Sequence, residues 1–207
     1  QPKADTFSSK YAFIGPSIPE QIGAGERAWE GCCYISLGTV NNRNLPFYQA
    51  CIEALRQESI PVVISVGEQT GLSAFRDVPE HIFLRPRVDQ LAVLARASVF
   101  VTHCGMNSAS EGLYFGVPLV LYPQQAEQGL VARRVEELGA GLRLRRASPE
   151  AIRAAVRQVR EQQSYRSRAR EIAAGFRDAG GYRRGADKIL EAAARGGGAC
   201  AENPPML

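Results

Sequence analysis

Apolar residues in this chain occur in short runs that alternate with longer segments of mixed polarity. Runs of strand length predict six β-strands, at 32–38, 61–67, 81–86, 98–103, 117–123 and 140–145. Between them, apolar residues recur at helical spacing and predict helices over 45–57, 88–97, 108–116 and 126–139. A longer helical pattern follows Ser148, the expected N-cap, with Pro149 in the first turn. It continues to about Ala194 with a break at Gly180 and Gly181.

Strands that are apolar throughout and alternate with helices are typical of a parallel sheet that helices cover on both faces. We therefore predict an α/β fold with a doubly wound, six-stranded parallel sheet in the order 3-2-1-4-5-6. In this order a crevice opens between strands 1 and 4 at their carboxyl ends, beside loops 36–42 and 103–110. These two interior loops are the richest in glycine and hydroxyl groups. Topology and loop composition thus indicate the same candidate site.

The pattern divides the chain into three parts. Residues 1–30 form a lead-in, in which "YAFIGPSIPE" predicts one short strand that Pro16 and Pro19 end. Residues 31–195 form the α/β domain. Residues 196–207 are expected to be a flexible tail.

Composition and charge narrow the class of protein. Hydrophobic residues make up 45% of the 207 residues, which permits a sizeable core and excludes a wholly disordered chain. The net charge is only +4, and acids are interspersed among the arginines that follow Arg133, so solvated helix faces are favoured over nucleic-acid binding. No apolar run approaches the roughly 18–20 residues that span a bilayer. The polar N-terminus predicts no signal peptide.

Five cysteines and two histidines limit the redox and metal chemistry. The cysteine number is odd, no C-x-x-C spacing occurs, and a core of this size needs no disulfide framework. We therefore expect a reducing compartment and a cytoplasmic location. Neither H-E-x-x-H nor a paired Cys/His spacing is present, so we expect no metal site.

The loop after strand 4 carries the candidate chemistry. The strand is expected to end at His103 and a helix to begin near Ser108, whose first amides lack intrahelical partners and favour an anion. Gly105 allows a ligand to approach the backbone, and Asn107 adds a side-chain donor. The loop predicts phosphate binding, but it is neither G-x-G-x-x-G nor a Walker loop.

Each of these residues also has a structural interpretation. Ser108 and Glu111 form S-x-x-E, the spacing of a capping box, and on spacing alone capping is favoured over ligand contact for Glu111. His103 is equally compatible with a histidine that is satisfied at a strand end. For Cys104 a buried, inert thiol is favoured over a nucleophile.

A second polar cluster, "YPQQAEQ", follows strand 5 on the crevice side of the sheet. Glu127 and Gln128 within it are suited to binding hydroxyl groups, because a carboxylate accepts hydrogen bonds and an amide both donates and accepts. The spacing alone favours a solvated first turn, with Glu127 well placed for the helix dipole.

Residues 98–144, "SVFVTHCGMNSASEGLYFGVPLVLYPQQAEQGLVARRVEELGAGLRL", resemble the donor-binding half of family-1 UDP-glycosyltransferases. They are similar above all to the bacterial macrolide type, and also to the plant H-C-G-x-N-S signature. The resemblance extends from "YISLGTV" to "AGGYRRGADKILEA". It implies one Rossmann-like half of a GT-B fold, in which two doubly wound domains face a cleft.

The resemblance implies how this chain would hold a nucleotide sugar at its diphosphate. His103 would contact the diphosphate and stabilise it as the leaving group. Gly105, Asn107 and Ser108 would donate to phosphate oxygens at the helix start. Ser36 and Thr39, in the loop after the first strand, would lie near the phosphates.

The resemblance also implies contacts to the rest of the nucleotide sugar. Glu111 would hold the ribose hydroxyls, and Glu127 with Gln128 would grip sugar hydroxyls. Gln90 corresponds to the Gln of the W-x-P-Q stretch beside the base. Arg87 stands where the family often has a flat aromatic residue, and its guanidinium can stack on a base. Asp89 stands where the family has Pro.

The implied function is that of a UDP- or dTDP-sugar donor-binding domain of an inverting glycosyltransferase that acts on a small-molecule hydroxyl. The family's general base, a His oriented by an Asp, belongs to an N-terminal acceptor domain that we expect to be missing here. "TFSSKYAFIGPS" resembles the linker that enters the C-terminal domain, and the sequence does not begin with Met. No cofactor or metal is expected. A non-catalytic module that pairs with a separate acceptor-binding chain is the alternative, whereas a GT-B-like epimerase is disfavoured by the long motif.

Overall fold

Six short strands pair in parallel in the computed structural model, which describes residues 7–8, 11–40 and 42–196. The strands are β1 (Cys33–Ser36), β2 (Val62–Ser65), β3 (Ile82–Arg85), β4 (Val99–Thr102), β5 (Leu119–Leu121) and β6 (Gly141–Arg143). Their order in the sheet is β3-β2-β1-β4-β5-β6, which confirms the predicted topology. Each strand is shorter than the apolar run that predicted it.

Seven α-helices lie within the described residues. They are α1 (Leu45–Leu55), α2 (Gln90–Leu94), α3 (Met106–Tyr114), α4 (Ala126–Glu137), α5 (Pro149–Glu161), α6 (Gln163–Asp178) and α7 (Gly181–Gly196). The predicted break at Gly180 and Gly181 separates α6 from α7, and a second break at Gln162 separates α5 from α6. No helix in this part of the chain combines the length and apolarity needed to cross a bilayer.

The sheet has a separate hydrophobic core on each face. One core gathers α1 and α5, and the other gathers α2, α3, α4 and α6. Successive side chains of β1 point to opposite faces, so Cys33 and Ile35 enter the first core and Tyr34 the second. Because both faces are covered, every residue of β1 and β4 is buried, which explains the uninterrupted apolar runs in the sequence.

Side-chain caps define where three of the helices begin. Asn44 accepts a hydrogen bond from the Phe47 amide at the start of α1. Asp89 accepts from two amides at the start of α2. The Ser148 hydroxyl accepts from the Ala151 amide at 3.3 Å, with Pro149 at the first position of α5, as the sequence predicted.

The strand predicted within "YAFIGPSIPE" is wrong, because residues 11–20 contain no strand in the structure. The segment instead packs against helices: the Ile14 carbonyl accepts from the Gly181 amide at 2.7 Å. Further along, the Ala24 carbonyl accepts from Arg96. Pro16 and Pro19 lack the amide hydrogens that a strand needs. The predicted tail, 196–207, lies outside the described residues except for the backbone of Gly196.

Candidate functional site

A cleft of about 1000 Å³ lies at the carboxyl ends of β1 and β4, where the strand order reverses. Ser36 and Thr102 pair in register as the last residues of these two strands. The loops that follow them form the walls, as the predicted strand order indicated. The lining residues are Tyr34, Ser36, Gly38, Thr39, Ser65, Arg87, Val88, Asp89, Gln90, His103, Gly105, Met106, Asn107 and Ser108.

The cleft brings together eight of the eleven residues that the sequence singled out. These are Ser36, Thr39, Arg87, Gln90, His103, Gly105, Asn107 and Ser108. Glu111, Glu127 and Gln128 are not part of the lining. Glu111 lies directly behind it, in contact with Gln90.

Two glycines enclose the imidazole of His103. A Cβ atom on Gly38 would lie 2.6 Å from Cε1 of the ring, and one on Gly105 would lie 2.5 Å from Nε2. Gly38 also has a φ of +81°, which side-chain-bearing residues rarely adopt. Any larger residue at either position would therefore displace the ring. We call Gly38, His103 and Gly105 the histidine end of the cleft.

Burial controls the charge of His103. It lowers the pKa of the ring, while the backbone of Ser36 and the carboxylate of Glu127 act in the opposite direction. Atom Nδ1 is buried and meets no partner at good hydrogen-bond geometry. The lowered pKa favours the uncharged ring at neutral pH, and this form carries one N–H donor.

Helix α3 begins two residues earlier than predicted, so the expected capping box of Ser108 and Glu111 is wrong. Its N-cap is Gly105, and no side chain caps it. The early start follows from Cys104, whose φ of +68° reverses the chain directly after β4. The Thr102 hydroxyl accepts from the Cys104 amide at 3.2 Å and supports this turn. The first-turn amides, including that of Ser108, have no acceptor within the helix.

The thiol of Cys104 is fully buried, and burial raises its pKa to about 12. This confirms that the thiol is buried and favours the inert interpretation, because the thiolate is the reactive form. Cys32, Cys33 and Cys51 are buried and free as well. Among the described residues, no group of three or more His, Cys, Asp or Glu side chains gathers to hold a metal ion. That no metal takes part stays a prediction.

A hydrogen-bonded chain forms the other end of the cleft. The Tyr34 hydroxyl donates to Oε1 of Gln90 at 3.1 Å. Nε2 of Gln90 donates to Oε2 of Glu111 at 2.5 Å, and lies 3.4 Å from the Ser108 hydroxyl. We call Tyr34, Gln90 and Glu111 the glutamine end of the cleft. Sequence reasoning missed Tyr34, which resembles any other buried strand residue in "CCYISLG".

The two departures from the family pattern have different structural consequences. Asp89 occupies the N-cap of α2, and its Oδ1 accepts from the amides of Leu91 and Ala92 at 3.1 and 3.2 Å. It therefore orients the helix that begins with Gln90. Arg87 is 83% exposed and lies 3.9 Å from Glu68, which leaves its guanidinium accessible from the cleft.

The second polar cluster divides into one exposed and one buried side chain. Glu127 is exposed in the first turn of α4, near enough to His103 to affect its pKa. Gln128 is buried, and its Oε1 accepts from the Gln124 amide at 2.8 Å. Gln128 therefore fixes the turn between β5 and α4.

The sheet order, the helices on both faces and the cleft at the reversal point define one Rossmann-like half of a GT-B fold. CalG4, the calicheamicin glycosyltransferase, superposes with a TM-score of 0.85 and 30% identity, over 94% of this chain and 51% of that chain. Os79 from O. sativa, solved in complex with UDP, superposes with a TM-score of 0.63 and 25% identity, over 69% of this chain and 35% of that chain.

Residues 51–178 match the family described as "Erythromycin biosynthesis protein CIII-like, C-terminal domain", and the chain belongs to this family. It is also 40% identical over 199 residues to the "Uncharacterized UDP-glucosyltransferase YojK" of Bacillus subtilis (strain 168). That match covers 93% of this chain and 49% of the relative. The chain thus spans about half the length of the curated relatives it matches.

Proposed function

We propose that the chain binds a UDP- or dTDP-sugar in this cleft, as the donor half of an inverting glycosyltransferase that transfers a hexosyl group to a small-molecule hydroxyl. One observation carries the proposal: a histidine is held between two glycines beside the unpartnered amides of a helix start. This arrangement offers neutral donors to a diphosphate without a side chain in the way. The structure of the relative Os79 with UDP supports the choice of nucleotide.

In the proposed reaction, a base outside this chain removes the proton of the acceptor hydroxyl. The acceptor oxygen attacks the anomeric carbon from the face opposite the diphosphate, and the bond between that carbon and the diphosphate oxygen breaks. The diphosphate leaves with the electron pair. His103 and the first-turn amides of α3 stabilise the charge that develops on it.

The remaining residues are proposed to take the roles that the family resemblance implies. Ser36, Thr39 and Asn107 donate to phosphate oxygens. Gln90 and Glu111 meet the ribose, and Arg87 covers the base. Glu127 and Gln128, which lie outside the cleft lining, are expected to meet the sugar at the start of α4. The acceptor site and the general base belong to an N-terminal domain, and the half-length match to the curated relatives supports this division. The cytoplasmic location also stays a prediction.

A thermal-shift experiment with UDP tests the site. UDP is expected to raise the melting temperature of this chain, because it binds the folded state only. His103→Ala and Glu111→Ala should each reduce the shift. His81→Ala is the matched control, since His81 lies at the amino end of β3 and contacts the Leu55 carbonyl instead. An equal shift in all four proteins, or no shift in any of them, contradicts the site.

A second candidate is a non-catalytic module that pairs with a separate acceptor-binding chain. Val40 and Met106 favour it, since they are 85% and 59% exposed. Met106 lines the cleft and Val40 follows the lining residue Thr39, where a partner would cover both. In this case gel filtration detects a complex with such a partner, and neither chain transfers sugar. Glycosyl transfer by this chain alone would contradict both candidates, because it would show that no base from outside the chain is needed.

A further inference from the structure

We propose that Tyr34 is a positioning residue that gives this site its preference for a ribonucleoside diphosphate over the 2′-deoxy counterpart. Tyr34 does so through Gln90, which holds the carboxylate of Glu111. The inference rests on the function proposed above and narrows its donor to the UDP-sugar, because dTDP lacks the 2′-hydroxyl. Tyr34 lies on β1 and contacts Gln90 from the sheet side of the cleft.

The chemistry of the three side chains fixes the direction of the hydrogen bonds. The carboxylate of Glu111 only accepts, so Gln90 must present its amide nitrogen to Oε2. The amide oxygen then faces Tyr34, whose hydroxyl donates to it at 3.1 Å. Burial raises the pKa of Tyr34 above its ordinary value, and the charge of Glu111 adds to this, whereas a hydrogen bond with the Ser36 side chain acts in the opposite direction; the hydroxyl therefore stays protonated across the physiological pH range.

Packing holds this donor in place. Tyr34 is 1% exposed, and its ring stacks on Phe100 with 4.8 Å between centroids and 14° between planes. These two residues pair in register on β1 and β4. The Tyr34 hydroxyl therefore has little freedom to move, and together with Glu111 it holds the half-exposed Gln90 amide in one orientation.

The consequence appears at Glu111. Gln90 holds Oε2 of Glu111 directly behind the cleft lining, and in the proposed complex Oε1 accepts a hydrogen bond from the ribose 2′-hydroxyl. Without the Tyr34 donor, the Gln90 amide loses one of the two hydrogen bonds that fix it, so the amide and the carboxylate it holds are free to move toward solvent. The carboxylate then bonds to water instead of the ribose. Removing the 2′-hydroxyl from the ligand therefore lowers the affinity by a smaller factor.

The test compares UDP with 2′-deoxy-UDP by calorimetric titration of the full 207-residue chain. The wild-type protein is expected to bind UDP about tenfold more tightly, the ratio that one hydrogen bond to a charged group supplies. In Tyr34→Phe the ratio should fall to about twofold, since one hydrogen bond no longer orients the amide. A change in fold alone would weaken both ligands and leave their ratio unchanged.

Tyr48→Phe is the matched control. Tyr48 is also fully buried, but it lies on α1 in the other core, and its hydroxyl meets no partner at good geometry. Its substitution should preserve the ratio. If Tyr34→Phe does not fold, Gln90→Ala removes the next side chain in the hydrogen-bonded series. It should abolish the preference for UDP over 2′-deoxy-UDP and also weaken UDP binding.

The outcomes separate this inference from the proposed function. Absence of UDP binding by the wild-type protein overturns the proposed function and the inference together. Binding without any preference for UDP, or a preference that survives in Tyr34→Phe or in Gln90→Ala, overturns the role of Tyr34 alone. Loss of the preference in Tyr34→Phe but not in Tyr48→Phe supports it.

Discussion

The two ends of the cleft are built in different ways. At the histidine end, the backbone forms the site: two glycines leave room for one ring, and the first-turn amides of α3 face the same space. At the glutamine end, side chains from β1, α2 and α3 form it through hydrogen bonds between residues up to 56 positions apart. The histidine end should therefore tolerate no added atoms, whereas each hydrogen bond lost at the glutamine end should lower the ligand affinity by a small amount.

The largest expected effect is that of Gly38→Ala. The added Cβ displaces His103, and we expect UDP affinity to fall by at least about tenfold, the equivalent of one lost hydrogen bond to a charged group. The φ of +81° adds a loss of about 1 kcal/mol in the free energy of unfolding. Calorimetry measures the first effect and urea unfolding the second.

Substitutions at two other glycines separate the displacement of His103 from the strain of a positive φ. Gly31 has a φ of +72° and no atom within 4 Å of the position of a Cβ, so Gly31→Ala should lose stability and keep UDP binding. Gly105 has a φ of −58°, so Gly105→Ala should weaken binding without strain from a positive φ. If Gly38→Ala binds UDP as the wild-type protein does, the backbone-built histidine end is refuted.

The same contrast explains how far the sequence predicted the site. Periodicity predicted the sheet order, and loop composition predicted the histidine end, because glycine and histidine lie together in "THCGMNS". The glutamine end depends on pairs distant in sequence, such as Tyr34 with Gln90, and no local pattern reveals them. The start of α3 was wrong for a related reason. S-x-x-E is a local signal, but the turn at Cys104 started the helix after Gly105.

An intermediate effect is expected at the glutamine end, for Asp89→Ala. Loss of this N-cap should lower the free energy of unfolding by about 1 kcal/mol. Because α2 begins with Gln90, UDP binding should weaken as well, by about threefold, less than one full hydrogen bond to a charged group supplies. Urea unfolding and calorimetry again measure the two effects.

Ser148→Ala is the control for this prediction. Ser148 caps α5, which packs on the opposite face of the sheet from α2. Its loss should cost a similar amount of stability and leave UDP binding unchanged. Equal binding losses in both variants would mean that general destabilisation, and not the position of Gln90, lowers the affinity.

The smallest expected effect is the pH dependence of stability that comes from His103, because a single half-buried ring is its source. Its pKa in the folded protein lies below the ordinary 6.5, chiefly through burial. Below about pH 6.5 the unfolded chain therefore binds a proton that the folded protein does not. The free energy of unfolding should then fall as the pH decreases from 6.5 to the lowered pKa, and it is fully retained above 6.5.

Urea unfolding of the wild-type protein and of His103→Gln at about pH 7.5 and about pH 5.5 measures the difference. All other titratable groups are present in both proteins, so a steeper loss in the wild-type protein belongs to His103 and its interactions. Equal losses would show that the ring is not held in its uncharged form by the fold.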